Sequence, residues 1–155
     1  MWLKKLAQTL TIIDRQAAIP LDSQQQILNQ EKIKEKTVKK KIGDWAETTA
    51  KHHLEKHGLK LETCNYNCSL GEIDLILTDK DQLVFVEVRF RKSSSHGSAL
   101  ESVGLSKQKK VIKAAQYYLQ EKRLTDKISC RFDVIGIQKD NNGNPNIQWI
   151  KNAFY

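Results

Sequence analysis

Hydrophobic and polar positions divide the chain into two regimes. Over residues 1–42 apolar residues are scattered: one proline, Pro20, is followed by the Gln-rich stretch "SQQQILNQ" and then by "EKIKEKTVKKK". Nothing there supplies a core. The pattern predicts an accessory polar helix, capped by Asp22 or Ser23 and running to about Lys41, whose basic end is either a solvated face or a contact for phosphates.

From Gly43 onward the pattern is that of a compact α/β domain. "GDWAETTAKHHLEKHG" offers Asp44 as an N-cap, Ala46, Ala50 and Leu54 at helical spacing, and Gly58 as a stop, which predicts a separate first helix. "CNYNCSLGEIDLILT" and "QLVFVEVRF" read as two strands joined across "DKDQ". A Ser/Gly loop, "SSSHGSALESVG", leads to a second helix, "SKQKKVIKAAQYYLQEK", with Val111, Ile112, Ala115, Tyr118 and Leu119 on one face. "ISCRFDVIGIQ" is a third strand, "NNGNPN" a turn and "IQWI" a short final strand.

Two positions break the apolar runs. With "DKDQ" as the hairpin loop, or a tighter turn at Lys80 and Asp81, Thr78 faces Leu83 and Asp74 lies directly across from Glu87. Alternation then puts Glu72, Asp74, Glu87 and Arg89 on one face, with Glu72 opposite Arg89. Like charges so placed repel, so a positive group must stand between them. A hard divalent cation such as Mg²⁺ suits two carboxylates; Arg89 is the competing counterion, in which case the four residues form a charge network on a solvated sheet face. Glu87 sits within "LVFVEVRF", where an unpaired buried carboxylate would be costly. Glu47, on the helix side shared with Ala50 and Leu54, is a third acid, although its spacing from Asp44 also fits a capping box.

Charge extends this picture. The 155 residues carry a formal net charge of +8 and the pI is about 9.4, a surplus that attracts polyanions, nucleic acid before anionic membrane. Arg91, Lys92, Lys107, Lys109, Lys110 and Lys113, with Gln108 beside Lys107, form a candidate phosphate-tracking rim. Lys107 stands in the first turn of its helix, a natural anion site. Aromatic residues are too scattered for a stacking platform, and base readout has no visible apparatus. No window reaches the ~18 apolar residues of a membrane span, and "MWLKKLAQTLTIIDRQ" lacks the features of a signal peptide, so a cytoplasmic protein with reduced cysteines is expected.

A Glu on a preceding helix, then "GEIDLI", a turn, "VFVEVRFR", a helix opening "SKQKK", "RFDVIGI" and a closing "WIKNAF" resemble the YraN-like uncharacterised protein family 0102. That family is similar to archaeal Holliday junction resolvases of the PD-(D/E)xK nuclease superfamily. The resemblance covers about residues 43–155 and implies a restriction-endonuclease-like mixed sheet flanked by helices, behind an N-terminal helical extension at 1–42. It makes Asp74 and Glu87 the metal-binding acids, Glu47 the helical acid and Arg89 the occupant of the superfamily lysine position. The implied activity is Mg²⁺- or Mn²⁺-dependent hydrolysis of DNA, branched or structured DNA in particular, by a homodimer. Arg89 departs from the pattern: it supplies charge and a bidentate fork for phosphate but does not lose its proton. A DNA-binding protein that kept the nuclease fold without its chemistry is therefore the alternative.

Other residues carry less. Cys64 and Cys68 have admissible zinc spacing after His52, His53 and His57, yet alternation predicts small apolar residues buried on one strand face. His96 reads as a loop residue, and Asp133 as a structural partner for a helix or for Arg131.

Overall fold

The structure, a computed structural model, describes residues 20–91 and 103–155. Lys92, His96 and most of the Ser/Gly loop lie outside the described residues. The chain divides into two compact units, Met1–Lys41 and Ile42–Tyr155.

Helix α1 is continuous over Leu21–Lys56, which corrects the expectation of two helices. Gly43 costs about 1 kcal/mol in a helix interior, but no proline accompanies it and its neighbours are helix-compatible. The Thr48 and Thr49 hydroxyls donate to the carbonyls of Asp44 and Trp45, four residues back. Asp44 is thus an interior residue rather than a cap, and the capping-box explanation of Glu47 falls with it. At the other end Pro20 supplies the first carbonyl, to Gln24 N, and Asp22 stands in the first turn. Over residues 20–41 no described residue is buried; Leu21, Ile27, Leu28, Ile33 and Val38 are exposed. Gly58 does end the helix: at φ 90° it adopts a conformation that favours glycine, and Leu59 N closes back on Leu54 O.

The second unit holds a five-stranded sheet of β1 (Lys60–Cys68), β2 (Gly71–Asp79), β3 (Gln82–Arg91), β4 (Ser129–Lys139) and β5 (Pro145–Phe154), in that spatial order. Strands β3 and β4 run parallel, and helix α2 (Leu105–Glu121) lies between them in sequence; the remaining pairs are antiparallel. The run "CNYNCSLGEIDLILT" is thus two strands with a turn at Ser69 and Leu70. Apolar continuity hid that turn, which is marked by a single serine and Gly71. The β2–β3 turn is the tighter one, since Asp79 pairs with Gln82, and β5 is longer than "IQWI".

Each sheet face is covered, which is why β2 and β3 read as nearly unbroken apolar runs. One face packs Ala46, Ala50 and Leu54 of α1 against Leu75, Leu77, Val84, Val86, Ile135 and Ile137. The other packs Val111, Ala114, Ala115 and Tyr118 of α2 against Ile76, Leu83, Phe85 and Val134. There Phe85, Phe132 and Phe154 stack in series, at centroid distances of 5.5 and 5.1 Å. This mixed sheet with flanking helices is a restriction-endonuclease-like fold. Cys64 is exposed and Cys68 half-buried, so the expectation that both are buried on one face is wrong. Asn65 between them has φ 53°, which breaks the strict alternation of a flat strand.

Candidate functional site

Strands β2 and β3 pair in constant register from Asp79↔Gln82 to Leu75↔Val86, the register inferred from the turn. One step further stand Asp74 and Glu87. There a side chain enters the backbone hydrogen bonding: Asp74 Oδ2 accepts the Val88 N–H at 2.7 Å. The first acid is thereby fixed to the strand that carries the second.

Glu87 lies on the sheet face shared with Leu83 and Phe85, under α2, and is 2% exposed. Such a carboxylate must be paired. Arg89 Nη2 is 3.0 Å from its Oε1, and Lys107 Nζ is 3.4 Å from its Oε2. The same ammonium bonds Glu72 Oε1 at 3.0 Å, so Lys107 bridges β2 and β3 from the first turn of α2. Glu72 therefore finds its ion-pair partner in Lys107, whereas the sequence register set it against Arg89. Glu87 Oε2 and Arg89 Nε, both buried, form no hydrogen bond in this arrangement.

The electrostatics follow from burial. The Glu87 carboxyl is pushed up to about 7, first by loss of water and then by the charge of Asp74, with Lys107 and Arg89 opposing. Burial also raises Asp74, against the Val88 bond and Lys107. Glu72 moves the other way, held low by its bond to Lys107. Burial favours the neutral form of Lys107, but Glu72, Glu87 and Asp74 together raise its pKa, so it stays charged. Two acids that resist ionisation beside two fixed cations are a common property of functional clefts.

Glu47 approaches from α1. Its pKa is raised, mostly by burial, with Asp74 adding to the effect and a hydrogen bond from the Asn65 side chain opposing it. Asn65 has a left-handed backbone, and an asparagine inside a strand was its only sequence signal. Among the described residues no three His, Cys, Asp or Glu side chains converge as a ready-made metal cluster. Glu87, buried, and Asp74, half-buried, are the two acids that could offer oxygens to a cation, and the charge of Asp74 raises the proton affinity of Glu87. Two carboxylates with waters and a substrate phosphate completing the shell match the habit of Mg²⁺, and an unsatisfied buried oxygen on Glu87 fits that use.

The remaining candidates separate. Lys109, Lys110 and Lys113 are exposed on α2, and Arg91 is half-buried at the end of β3. Gln108 Nε2 donates to Val103 O at 2.8 Å and braces the helix start. Asp133 is fully buried away from this cluster: it accepts from Arg131 Nε, Trp149 Nε1 and Asn152 N. Its role is structural, with Arg131 as the expected partner. Among the described residues no helix is long and apolar enough to cross a membrane.

Fold and site together define an α/β protein of restriction-endonuclease-like architecture with an acidic pair at the end of its central hairpin pairing. The chain belongs to the Uncharacterised protein family UPF0102, whose model matches residues 46–137, a span that contains Glu47, Asp74, Glu87, Arg89 and Lys107. It is 46% identical over 112 residues to the UPF0102 protein of Nitrosococcus oceani, covering 72% of this chain and 90% of that one. A UPF0102 protein of Coxiella burnetii is 50% identical over 113 residues, 73% of this chain and 91% of the relative. That of Ectopseudomonas mendocina is 44% identical over 113 residues, 73% and 93% respectively.

Proposed function

We propose that this protein is a metal-dependent nuclease that hydrolyses phosphodiester bonds in DNA. The observation that carries the reading is Glu87: a carboxylate nearly without exposure, one oxygen unbonded, set with Asp74 one step beyond the last β2–β3 pair and faced by two cations. As a purely structural device it is expensive, because an apolar pair of the same shape would fold as well or better. As a site it has a use.

Asp74 and Glu87 would hold Mg²⁺ or Mn²⁺, with Glu47 acting through water. The metal supplies positive charge at the phosphate and acidity to a coordinated water. Asp74, fixed by the Val88 N–H, holds its carboxylate in place without rearrangement. Arg89 pairs with Glu87 before substrate arrives and presents a planar fork to a non-bridging phosphate oxygen. Lys107 keeps its proton and adds charge from the helix start. Neither cation serves as a base. The surplus charge of +8 and the exposed lysines of α2 favour a polyanion that tracks the backbone rather than one read base by base. Branched or flapped DNA and a homodimeric state are part of the proposal through the resemblance to resolvases.

The test is cleavage of labelled single-stranded, duplex, flap and four-way DNAs by purified protein with Mg²⁺, Mn²⁺ or EDTA, alongside Asp74→Ala and Glu87→Ala. Metal-dependent cutting lost in both variants is the expected result. Binding without cutting under every metal would instead leave a DNA-binding protein with this fold.

A further inference from the structure

A pocket of about 340 Å³ opens beside the acidic cluster, between the β1–β2 turn and the first two turns of α2. It lies within the size range of small-ligand sites, ~300–1,000 Å³, and is too small for a stacked duplex. Its walls are of two kinds. Lys107 and Lys110 contribute positive charge from one helix flank, while Asn67, Leu70, Gly71 and Glu72 stand opposite, the Glu72 carboxylate held on Lys107. Leu70 is a large apolar residue left 46% exposed.

Two features tie this space to the site. Lys107 lines the pocket, bonds Glu72 and ion-pairs with Glu87, so one ammonium belongs to pocket and cluster at once. Gly71 packs directly on the helix: a Cβ there would meet the Lys110 carbonyl oxygen at 2.9 Å, so any side chain would wedge the β1–β2 turn off the helix. Helix α2 starts at Gly104 with no side-chain cap and has no acidic residue of its own in its first turn.

We infer that this pocket receives one unpaired nucleotide flanking the scissile phosphate, its own phosphate on Lys107 and Lys110 and its base against Leu70. The inference rests on the nuclease reading. The chemistry of the walls asks for a ligand with an anionic end and a flat, partly apolar body that also hydrogen-bonds, here to the Asn67 amide; a nucleotide has all three. A base reaches such a pocket only by leaving its stack, which costs a few kcal/mol in a duplex and least where the strand is already single. The pocket therefore selects strands unpaired next to the cut over continuous duplex.

The experiment is a titration of the full-length protein with dTMP, followed by amide NMR shifts, with inorganic phosphate in parallel. Expected are shifts confined to Asn67–Glu72 and Lys107–Lys110, saturating at lower dTMP than phosphate concentration. They should need at least about tenfold more dTMP in Leu70→Asp and in the uncharged Leu70→Ser. Equal responses to dTMP and phosphate, or shifts elsewhere only, overturn the inference. On DNA, both variants should raise KM for a flap while leaving duplex cutting unchanged; equal effects on the two substrates also overturn it. A protein that cuts DNA but shows no dTMP response there keeps the nuclease reading and loses the pocket. One that binds dTMP as described but cuts nothing loses the nuclease reading and keeps a nucleotide site.

Discussion

Lys107 Nζ lies 3.4 Å from Glu87 Oε2 and 3.0 Å from Glu72 Oε1, so one ammonium from a helix start neutralises acids on two strands. With Arg89 it occupies the place where like charges would otherwise face each other. Under the proposed function, a divalent metal would compete with these two cations for the same electrostatic role.

Stability should therefore depend on pH and metal together. The Glu87 carboxyl titrates at about 7 in the folded chain against an ordinary 4.5. Between these values the native state holds a proton that the unfolded chain releases, so stability falls as pH rises through that window. Asp74 and Glu47, also raised, act in the same direction, whereas the lowered Glu72 adds stability that is lost only on acidification. Lys107, whose pKa is raised, stays charged throughout. Urea midpoints in EDTA between about pH 5 and about pH 7.5 should decline with pH, and Glu87→Gln should flatten the slope. A rising midpoint in the wild type would contradict the assignment.

Metal should act where the acids ionise. Added Mg²⁺ is expected to raise the melting temperature more at about pH 8 than at about pH 6, because binding must expel the proton held by Glu87. Asp74→Asn keeps an acceptor for Val88 N yet removes a charge, so it should fold normally and lose the metal response. A full response in that variant would place the ion elsewhere.

Arg89 offers a test of chemistry. Arg89→Ala should reduce cleavage by roughly a hundredfold, as loss of one charge stabiliser does, with little change in DNA affinity at fixed salt. Arg89→Lys should recover much of the rate without adding an ascending limb to the pH–rate profile if metal alone activates the water. A new limb in the lysine variant would show that this position can take the proton.

The buried Asp133 network bears on folding only. Asp133→Ala leaves the Arg131 guanidinium, the Trp149 indole and the Asn152 amide short of an acceptor, and should cost roughly 3–5 kcal/mol in urea denaturation. Because Arg131 also pairs with Asp79 at 2.9 Å, the charge is not wholly stranded. The lower end of the range is the expectation.

Gly43→Ala tests the continuity of α1. Nothing lies within 4 Å of a Cβ built there, so in a helix interior the substitution should stabilise by about 0.5–1 kcal/mol. If Gly43 broke the helix with Asp44 as cap, the substitution would be neutral or harmful. Thermal melts with helical circular dichroism decide between the two.

Local rules reached the site because its spacing is local. Asp74 and Glu87 share a hairpin whose register is set by a two-residue turn, and parity then puts Glu72 and Arg89 on the same face without knowledge of the rest. The apolar faces of α2 and of the later part of α1 follow from helical period, and the mixed sheet from the order of strands and helices. The three places where sequence misled have one cause. At Gly43 and at Ser69–Leu70 an ambiguous residue was weighed without its surroundings, and at Cys64 and Cys68 strict alternation was assumed across Asn65; neighbouring helix continuity, the return of β1 along β2 and the left-handed Asn65 backbone decided them.

The linear sequence determined the β2–β3 register up to the two acids, because strand pairing is a counting problem once the turn is known. Only the tertiary structure decided that Lys107 answers them. The residue lies twenty positions past Glu87, beyond a connection whose length imposes no register, and a helix start can be set against a sheet in many ways until Val111, Ala114, Ala115 and Tyr118 pack on Phe85 and its neighbours. Burial of Glu87 comes from the same packing, and with it the raised affinity for a proton, since the cost of desolvating a charge exists only once a second layer has excluded water.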